Sequence, residues 1–130
     1  MGLSQLEKMQ KFIAKRKLIS IKYISFFKEN KYCKIITIDN CKPSYHLIFL
    51  QINFKLLKIN KYNLFKYLNS KNIYPQYHYI PIYKFSFFKK KVKLTNSEYY
   101  YNNTLSLPVY YDLKHSEQKK ICSEIKFFIE

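Results

Sequence analysis

Leu3, Leu6, Met9, Phe12, Ile13, Ile19, Tyr23 and Phe26 recur mainly at steps of three and four, with Lys and Glu between them. That spacing predicts one apolar stripe on a long helix from about Gly2 to Lys28. The pattern then changes. Lys34–Asn40 and Tyr45–Phe54 are β-branched or aromatic runs bounded by Asn, Pro and Ser, and they read as two strands. Asn60 is placed to cap a helix running to about Asn69, with Leu64, Phe65 and Leu68 on its inner face. Gln76–Ile80 reads as a third strand, and Asn96 or Ser97 as the start of a short helix ending near Asn103. "LSLPVY" follows as extended chain, because Pro108 biases its predecessor away from the helical region. Ile121, Ile125, Phe128 and Ile129 share one face of a closing helix, Ser116–Glu130.

Helices thus flank a small set of strands, and the connections are too short for several parallel crossovers. The expected class is α+β with a small, mostly antiparallel sheet, one domain over residues 1–130. The run "FFKKKVK" (87–93) reads as a solvated loop.

Composition alters this picture little. The formal charge of +16 would ordinarily suggest a phosphate-rich partner. Here Lys (23), Ile (16), Tyr (14), Phe (11) and Asn (10) make up 74 of 130 residues, all with A/T-rich codons, and Arg occurs once. Such usage reflects an A+T-rich genome, and one Arg among 24 basic residues argues against a site built for bidentate phosphate contacts. A Lys- and Tyr-rich module for single-stranded nucleic acid is the alternative this composition leaves open. The expectation is no nucleic acid and no membrane as partner. The longest uncharged apolar stretch is about ten residues against the roughly 18 needed to span a bilayer, and no signal peptide is evident. Three cysteines without a C-x-x-C pair fit a reducing cytoplasm and give no zinc pattern. A single Gly excludes Gly-rich phosphate loops, and His46, His78 and His115 are too scattered for a metal site or triad.

One window stands apart. "YPQYHYIPIY" (74–83) packs four tyrosines and a histidine around two prolines. Pro75 and Pro81 fix φ and restrict the residues before them. The chain between them is expected to be extended, with Tyr77 and Tyr79 on one side and Gln76, His78 and Ile80 on the other. Imidazole and phenol groups on a restrained backbone suit a polar, hydroxyl-rich ligand.

The order of several stretches resembles the C-terminal portion of the DegT/DnrJ/StrS group of nucleotide-sugar aminotransferases. "MGLSQLEKMQKFIAKRKLISIKY" (1–23) is similar to the family's "A-x-x-G-x-x-Q-L-x-x-L-x-x-x-x-x-x-R" helix, with Gly2, Gln5, Leu6 and Arg16 at matching positions. "YHLIFLQIN" (45–53) resembles its "H-L" strand, and "HYIPIY" (78–83) its "H-Y-x-P" segment. "NSEYYYNNTLSLPVYYDLKHSEQKKI" (96–121) resembles its "N-A-E … L-S-L-P … E-Q" ending. "PSYHL" with "HYIPIY" looks closest to the branch that serves pseudaminic acid synthesis.

The resemblance implies the small C-terminal domain of a fold-type I aminotransferase, roughly the last third of an enzyme. The large domain, which in complete members carries pyridoxal 5'-phosphate on a lysine with an acidic residue against the pyridine nitrogen, would be a separate chain or a missing portion. None of the 23 lysines lies in a segment like that lysine motif, so no catalytic or cofactor-binding residue is assigned, and this chain alone is expected to bind no cofactor. Complete members are homodimers that use L-glutamate and a 4-keto UDP-sugar. By resemblance His78 would orient substrate, Tyr79 and Tyr83 would line a sugar pocket, and Pro81 would hold the turn. Asn72 replaces a usual Gly, and Lys114 a frequent Thr cap.

Overall fold

The computed structural model describes residues 2–38, 40–88, 92 and 94–130. Helix α1 (Gly2–Phe27) leads through Asn30 into β1 (Cys33–Ile35), followed by β2 (Ile48–Ile52) and a short helix α2 (Phe54–Leu57). Then come α3 (Lys61–Ser70), a 3-10 turn (Ile82–Lys84), α4 (Thr95–Asn103), β3 (Thr104–Leu107) and α5 (His115–Ile129). The three strands form one antiparallel sheet in the order β1-β2-β3, with Leu50 opposite both Ile35 and Leu105, and Phe49 opposite Ser106. The α+β class with a small antiparallel sheet holds.

The strand faces explain the layering. Ile48, Leu50 and Ile52 of β2 are buried while Phe49 and Gln51 are only half-buried, the period of two expected of a sheet with one core face. Leu105 and Leu107 add to that face. Tyr23 and Phe27 from α1, Leu64 and Leu68 from α3, and Ile121, Ile125 and Ile129 from α5 complete one continuous core with them. Two long-range hydrogen bonds tie α1 to the C-terminal part of the chain. Buried Gln118 donates through Nε2 to the Ile19 carbonyl at 2.7 Å, and the Tyr23 hydroxyl donates to the Pro108 carbonyl at 3.1 Å. Asn30 closes the turn after α1: its Oδ1 accepts from the Tyr32 and Cys33 backbone N–H groups at 2.9 and 3.1 Å, and its Nδ2 donates to Glu130 at 3.1 Å.

Helix ends follow local chemistry. The Asn60 side chain accepts from the Tyr62 N–H at 2.7 Å, capping α3 as expected. At the other end Ile73 N–H bonds the Leu68 carbonyl and Asn72 N–H the Asn69 carbonyl, a Schellman closure with Asn72 at φ 60°. Asn tolerates that left-handed conformation better than other non-Gly residues, so it serves where a Gly would be usual. At α5 the Lys114 side chain makes no cap; the Glu117 carboxylate accepts the Lys114 backbone N–H at 2.8 Å.

Three sequence expectations need correction. The first strand is shorter than Lys34–Asn40, ending at Ile35, and Asp39 lies outside the described residues. The second ends at Ile52 because the Asn53 side chain accepts the Leu56 N–H at 3.0 Å and starts α2, an element the β-branched pattern concealed. Gln76–Ile80 is not a strand: it touches the sheet through a single bridge, Gln76 to Ser106, with N–H to carbonyl bonds of 3.1 and 2.9 Å. In an antiparallel ladder the next donors on that edge are Tyr74 and His78, and among the described residues neither N–H bonds a β3 carbonyl. Of the loop 87–93, Phe87, Phe88 and Val92 are exposed, and Lys89, Lys90, Lys91 and Lys93 lie outside the described residues.

Candidate functional site

Segment 74–84 leaves the Schellman turn of α3, docks by its Gln76 bridge on the free edge of β3, and divides the surrounding surface into three clefts. The bridge sets His78 against the face of the sheet opposite the core. There His78 Nδ1 and the Ser106 hydroxyl share a hydrogen bond of 2.6 Å. Ser106 is itself buried and held by its β3 backbone pairing, so the imidazole has a fixed anchor. The His78 ring also lies 6.5 Å, edge to face, from Phe49.

The first cleft, about 460 Å³, is lined by His46, Tyr74, Gln76, His78, Ser106 and Tyr110, with Glu117 and Lys120 of α5 also on its wall. Asparagine, imidazole, phenol and hydroxyl groups converge there on a floor of Ile73, Leu107 and Leu113. Lys120 is engaged, donating to the Lys71 carbonyl at 3.1 Å.

The second cleft, about 430 Å³, contains Tyr79, Pro81, Tyr83, Asn96, Ser97 and Tyr100. Tyr83 donates to Glu98 Oε1 at 2.8 Å while Lys84 pairs with Oε2 of the same carboxylate at 2.6 Å. The Tyr83 phenol is raised above its ordinary pKa by desolvation first and by the Glu98 bond second. Phe49 stands between the two clefts, with its ring 5.9 Å from that of Tyr100.

Of the four residues singled out by sequence, the structure therefore places His78 in one cleft and Tyr79, Pro81 and Tyr83 in its neighbour. The strict alternation also fails. Tyr79 lines the second cleft and its ring meets that of His78 edge to face at 4.6 Å, whereas Tyr77 lines neither of these two clefts. Tyr77 turns the other way and stacks on Phe65 at 4.9 Å.

Sequence reasoning missed the third cleft, about 510 Å³, where Lys61, Tyr62, Tyr77 and Tyr101 meet Asn60 and Asn102. A signal was present. Lys61 is the first residue of α3, where a cation faces the positive end of the helix dipole. A lysine there needs compensation, and it has it: Nζ lies 4.1 Å from the Tyr77 ring centroid and 4.8 Å from that of Tyr101, and donates to the Tyr101 carbonyl. Burial lowers its pKa to about 8.

Among the described residues no three metal-ligating side chains come together, and no helix is long and apolar enough to cross a membrane.

Residues 1–126 match the DegT/DnrJ/EryC1/StrS aminotransferase family. The chain is 32% identical over 122 residues to the UDP-4-amino-4,6-dideoxy-N-acetyl-β-L-altrosamine transaminase of Campylobacter jejuni, an alignment covering 92% of this chain and 32% of that protein. The transaminase of the same name from Helicobacter pylori is 28% identical over 129 residues, covering 96% of this chain and 34% of the relative. Among solved structures, Helicobacter pylori PseC, an aminotransferase of pseudaminic acid biosynthesis, superposes with a TM-score of 0.90 at 26% identity over 98% of this chain and 35% of its own. The aminotransferase TlmJ of Streptoalloteichus hindustanus has the same fold, with a TM-score of 0.87 at 18% identity over 97% of this chain and 34% of TlmJ. The chain belongs to the DegT/DnrJ/EryC1/StrS aminotransferase family, and it spans about a third of the length of the relatives it matches.

Pyridoxal phosphate, the cofactor of complete members, needs an amine, an acid against its ring nitrogen and donors for its phosphate. No cleft formed by the described residues gathers that set. Lys61 faces aromatic rings and asparagines, and Lys120 is spent on a backbone carbonyl.

Proposed function

We propose that this chain forms one wall of the sugar pocket of a nucleotide-sugar aminotransferase. Its His78 cleft receives the hydroxyl-rich sugar, and it contributes no bond-making group. In the assembled enzyme the reaction is amino transfer from L-glutamate to a 4-keto UDP-sugar of the pseudaminic acid type. The cofactor and its lysine belong to the portion corresponding to the other two thirds of the relatives, in the same polypeptide or in a second chain, and assembly as a homodimer goes with that portion. The observation that carries this reading is the 2.6 Å bond between His78 and buried Ser106, which presents an oriented imidazole to a polar cleft. Tyr79, Pro81 and Tyr83 act as the adjoining wall, farther from the sugar than His78.

Titration with a UDP-sugar such as UDP-N-acetylglucosamine, followed by amide chemical shifts, tests it. Weak binding is expected, with shifts centred on Gln76, His78 and Ser106 and abolished by His78→Ala. Gel filtration after mixing with pyridoxal phosphate should leave the chain without retained cofactor. Absence of any shift at millimolar sugar nucleotide would remove the proposal. Salt-sensitive binding of a single-stranded oligonucleotide with shifts at the tyrosines would favour the nucleic-acid alternative instead.

A further inference from the structure

We propose that Lys61 is a positioning residue for the His78 site: its ammonium ties the segment that carries His78 to the start of the strand that carries Ser106, and so holds the bond between them. This role rests on the His78 cleft being the sugar-receiving wall. One bridge, Gln76 to Ser106, joins segment 74–84 to β3, and among the described residues the His78 N–H adds no second pair to it. A single pair fixes one point of the segment and not its direction. Tyr77, between Gln76 and His78, supplies a second point. Its ring stacks on Phe65 of α3 at 4.9 Å and lies 4.1 Å from the ammonium of Lys61, which is four residues before Phe65 on the same helix face.

The ammonium reaches from there to the entrance of β3. Nζ lies 4.8 Å from the Tyr101 ring centroid and donates to the Tyr101 carbonyl, so it sits between two rings whose centroids are 6.3 Å apart. Tyr101 is in the last turn of α4, which runs into β3 at Thr104 with no intervening residue, and β3 is paired to β2 at four positions. It is therefore a fixed reference. The end of a helix leaves carbonyls without intrahelical partners and carries partial negative charge, and a lysine answers both. The start of a helix does the reverse. Lys61 opens α3, whose first turn holds no acid, so its place is unfavourable for its own helix and is explained by what it clasps. It is half-buried whereas every other described lysine is exposed, and among the described residues no carboxylate lines its cleft. Cation–π contact and the Tyr101 bond hold it there. Lys84, 5.1 Å from the Tyr101 ring, is paired with Glu98 instead.

The test is nitrogen NMR of the histidine rings in the whole chain, with Ser106→Ala as the reference for an unanchored imidazole. Lys61→Met, which keeps the chain length and removes the charge and the donor, should move the His78 Nδ1 and Nε2 shifts toward the Ser106→Ala values. His115 on α5 should not move. Lys61→Arg, which keeps a cation and its donors, should restore the parent shifts. Should Lys61→Met not fold by circular dichroism, Tyr101→Leu, which removes one ring and leaves the carbonyl, is expected to move His78 in the same direction by less. His78 nitrogens at the parent values in a folded variant, or an Arg variant shifted as far as the Met variant, would overturn the proposal. Titration with UDP-N-acetylglucosamine supplies the second readout: Lys61→Met should bind about 3–10-fold more weakly than the parent, and Lys61→Arg like the parent. Equal affinity of parent and Lys61→Met would overturn the role in binding. A parent chain that binds no UDP-N-acetylglucosamine while His78 follows Lys61 would remove the sugar reading and leave the positioning intact.

Discussion

Both halves of α1 carry apolar residues at helical spacing, steps of three in the first and of four in the second, and they meet different fates. In the C-terminal half Ile19, Tyr23 and Phe27 are 4%, 0% and 1% exposed, while Phe26, which the spacing puts on the stripe in place of Phe27, is 41% exposed. In the N-terminal half Leu3, Leu6 and Met9 are 80%, 56% and 41% exposed. The difference lies in what stands opposite. The C-terminal half faces β1 and α5, receives the Gln118 amide on the Ile19 carbonyl and gives the Tyr23 hydroxyl to Pro108. The N-terminal half meets one aromatic edge, Phe12 against Tyr111 at 5.0 Å. Periodicity thus marks which face of a helix is apolar, while burial depends on a partner surface. In the assembly proposed above, that partner belongs to the cofactor-bearing portion of the enzyme.

The largest expected effect comes from the covered half. Tyr23→Ala removes a fully buried ring and should lower the unfolding free energy by about 3–5 kcal/mol, read from urea denaturation. Burial holds the Tyr23 phenol well above its ordinary pKa, so the group stays a neutral donor throughout the working range. A loss under about 1 kcal/mol would mean that this half is not core and would dissolve the contrast.

A smaller effect tests the hydrogen-bonded tie rather than the packing. Gln118→Leu keeps roughly the volume but withdraws the Nε2 donor from the Ile19 carbonyl, and a cost of about 1 kcal/mol is expected by the same measurement. An unchanged or increased stability would show that apolar contact between α1 and α5 suffices and that the polar tie adds nothing.

How far the sequence carries can be judged from particular residues. Periodic elements were legible: α1, α3 with its Asn60 cap, and α5 need only local spacing and local hydrogen bonds. The family resemblance located the His78 segment in the chain. What could not be read were pairings settled by distant residues. Whether Gln76–Ile80 is a strand depends on how many N–H groups reach β3, and one pair does. His78 is oriented by Ser106, 28 residues away, and Lys61 is caged by Tyr101, 40 residues away. Strict alternation puts Tyr79 on the side of Tyr77, a rule that holds for a continuous strand, and this segment is bridged to the sheet at Gln76 alone among the described residues. The short α2 was hidden because its cap, Asn53, follows directly on a β-branched strand.

The exposed half gives the sharpest, though energetically the smallest, test of the comparison. Leu3→Glu with Leu6→Glu places two acids near the start of a helix whose first turn has none. Little burial is lost, because both side chains are already exposed, and each acid near the positive end of the dipole stabilises by about 0.3–1 kcal/mol where it lies within the first turn. Stability should therefore stay constant within about 0.5 kcal/mol or rise slightly, the opposite sign from Tyr23→Ala on the same helix. The change should appear in association instead. An apolar stripe on a solvated helix favours self-contact, so sedimentation velocity at high concentration should show the double variant more monomeric than the parent. A fall in stability above about 1 kcal/mol would mean that the face is covered within the chain. Identical sedimentation of the two proteins would mean that the stripe drives no contact. The combination of unchanged stability and lost association is the signature of a surface whose partner lies beyond this fold.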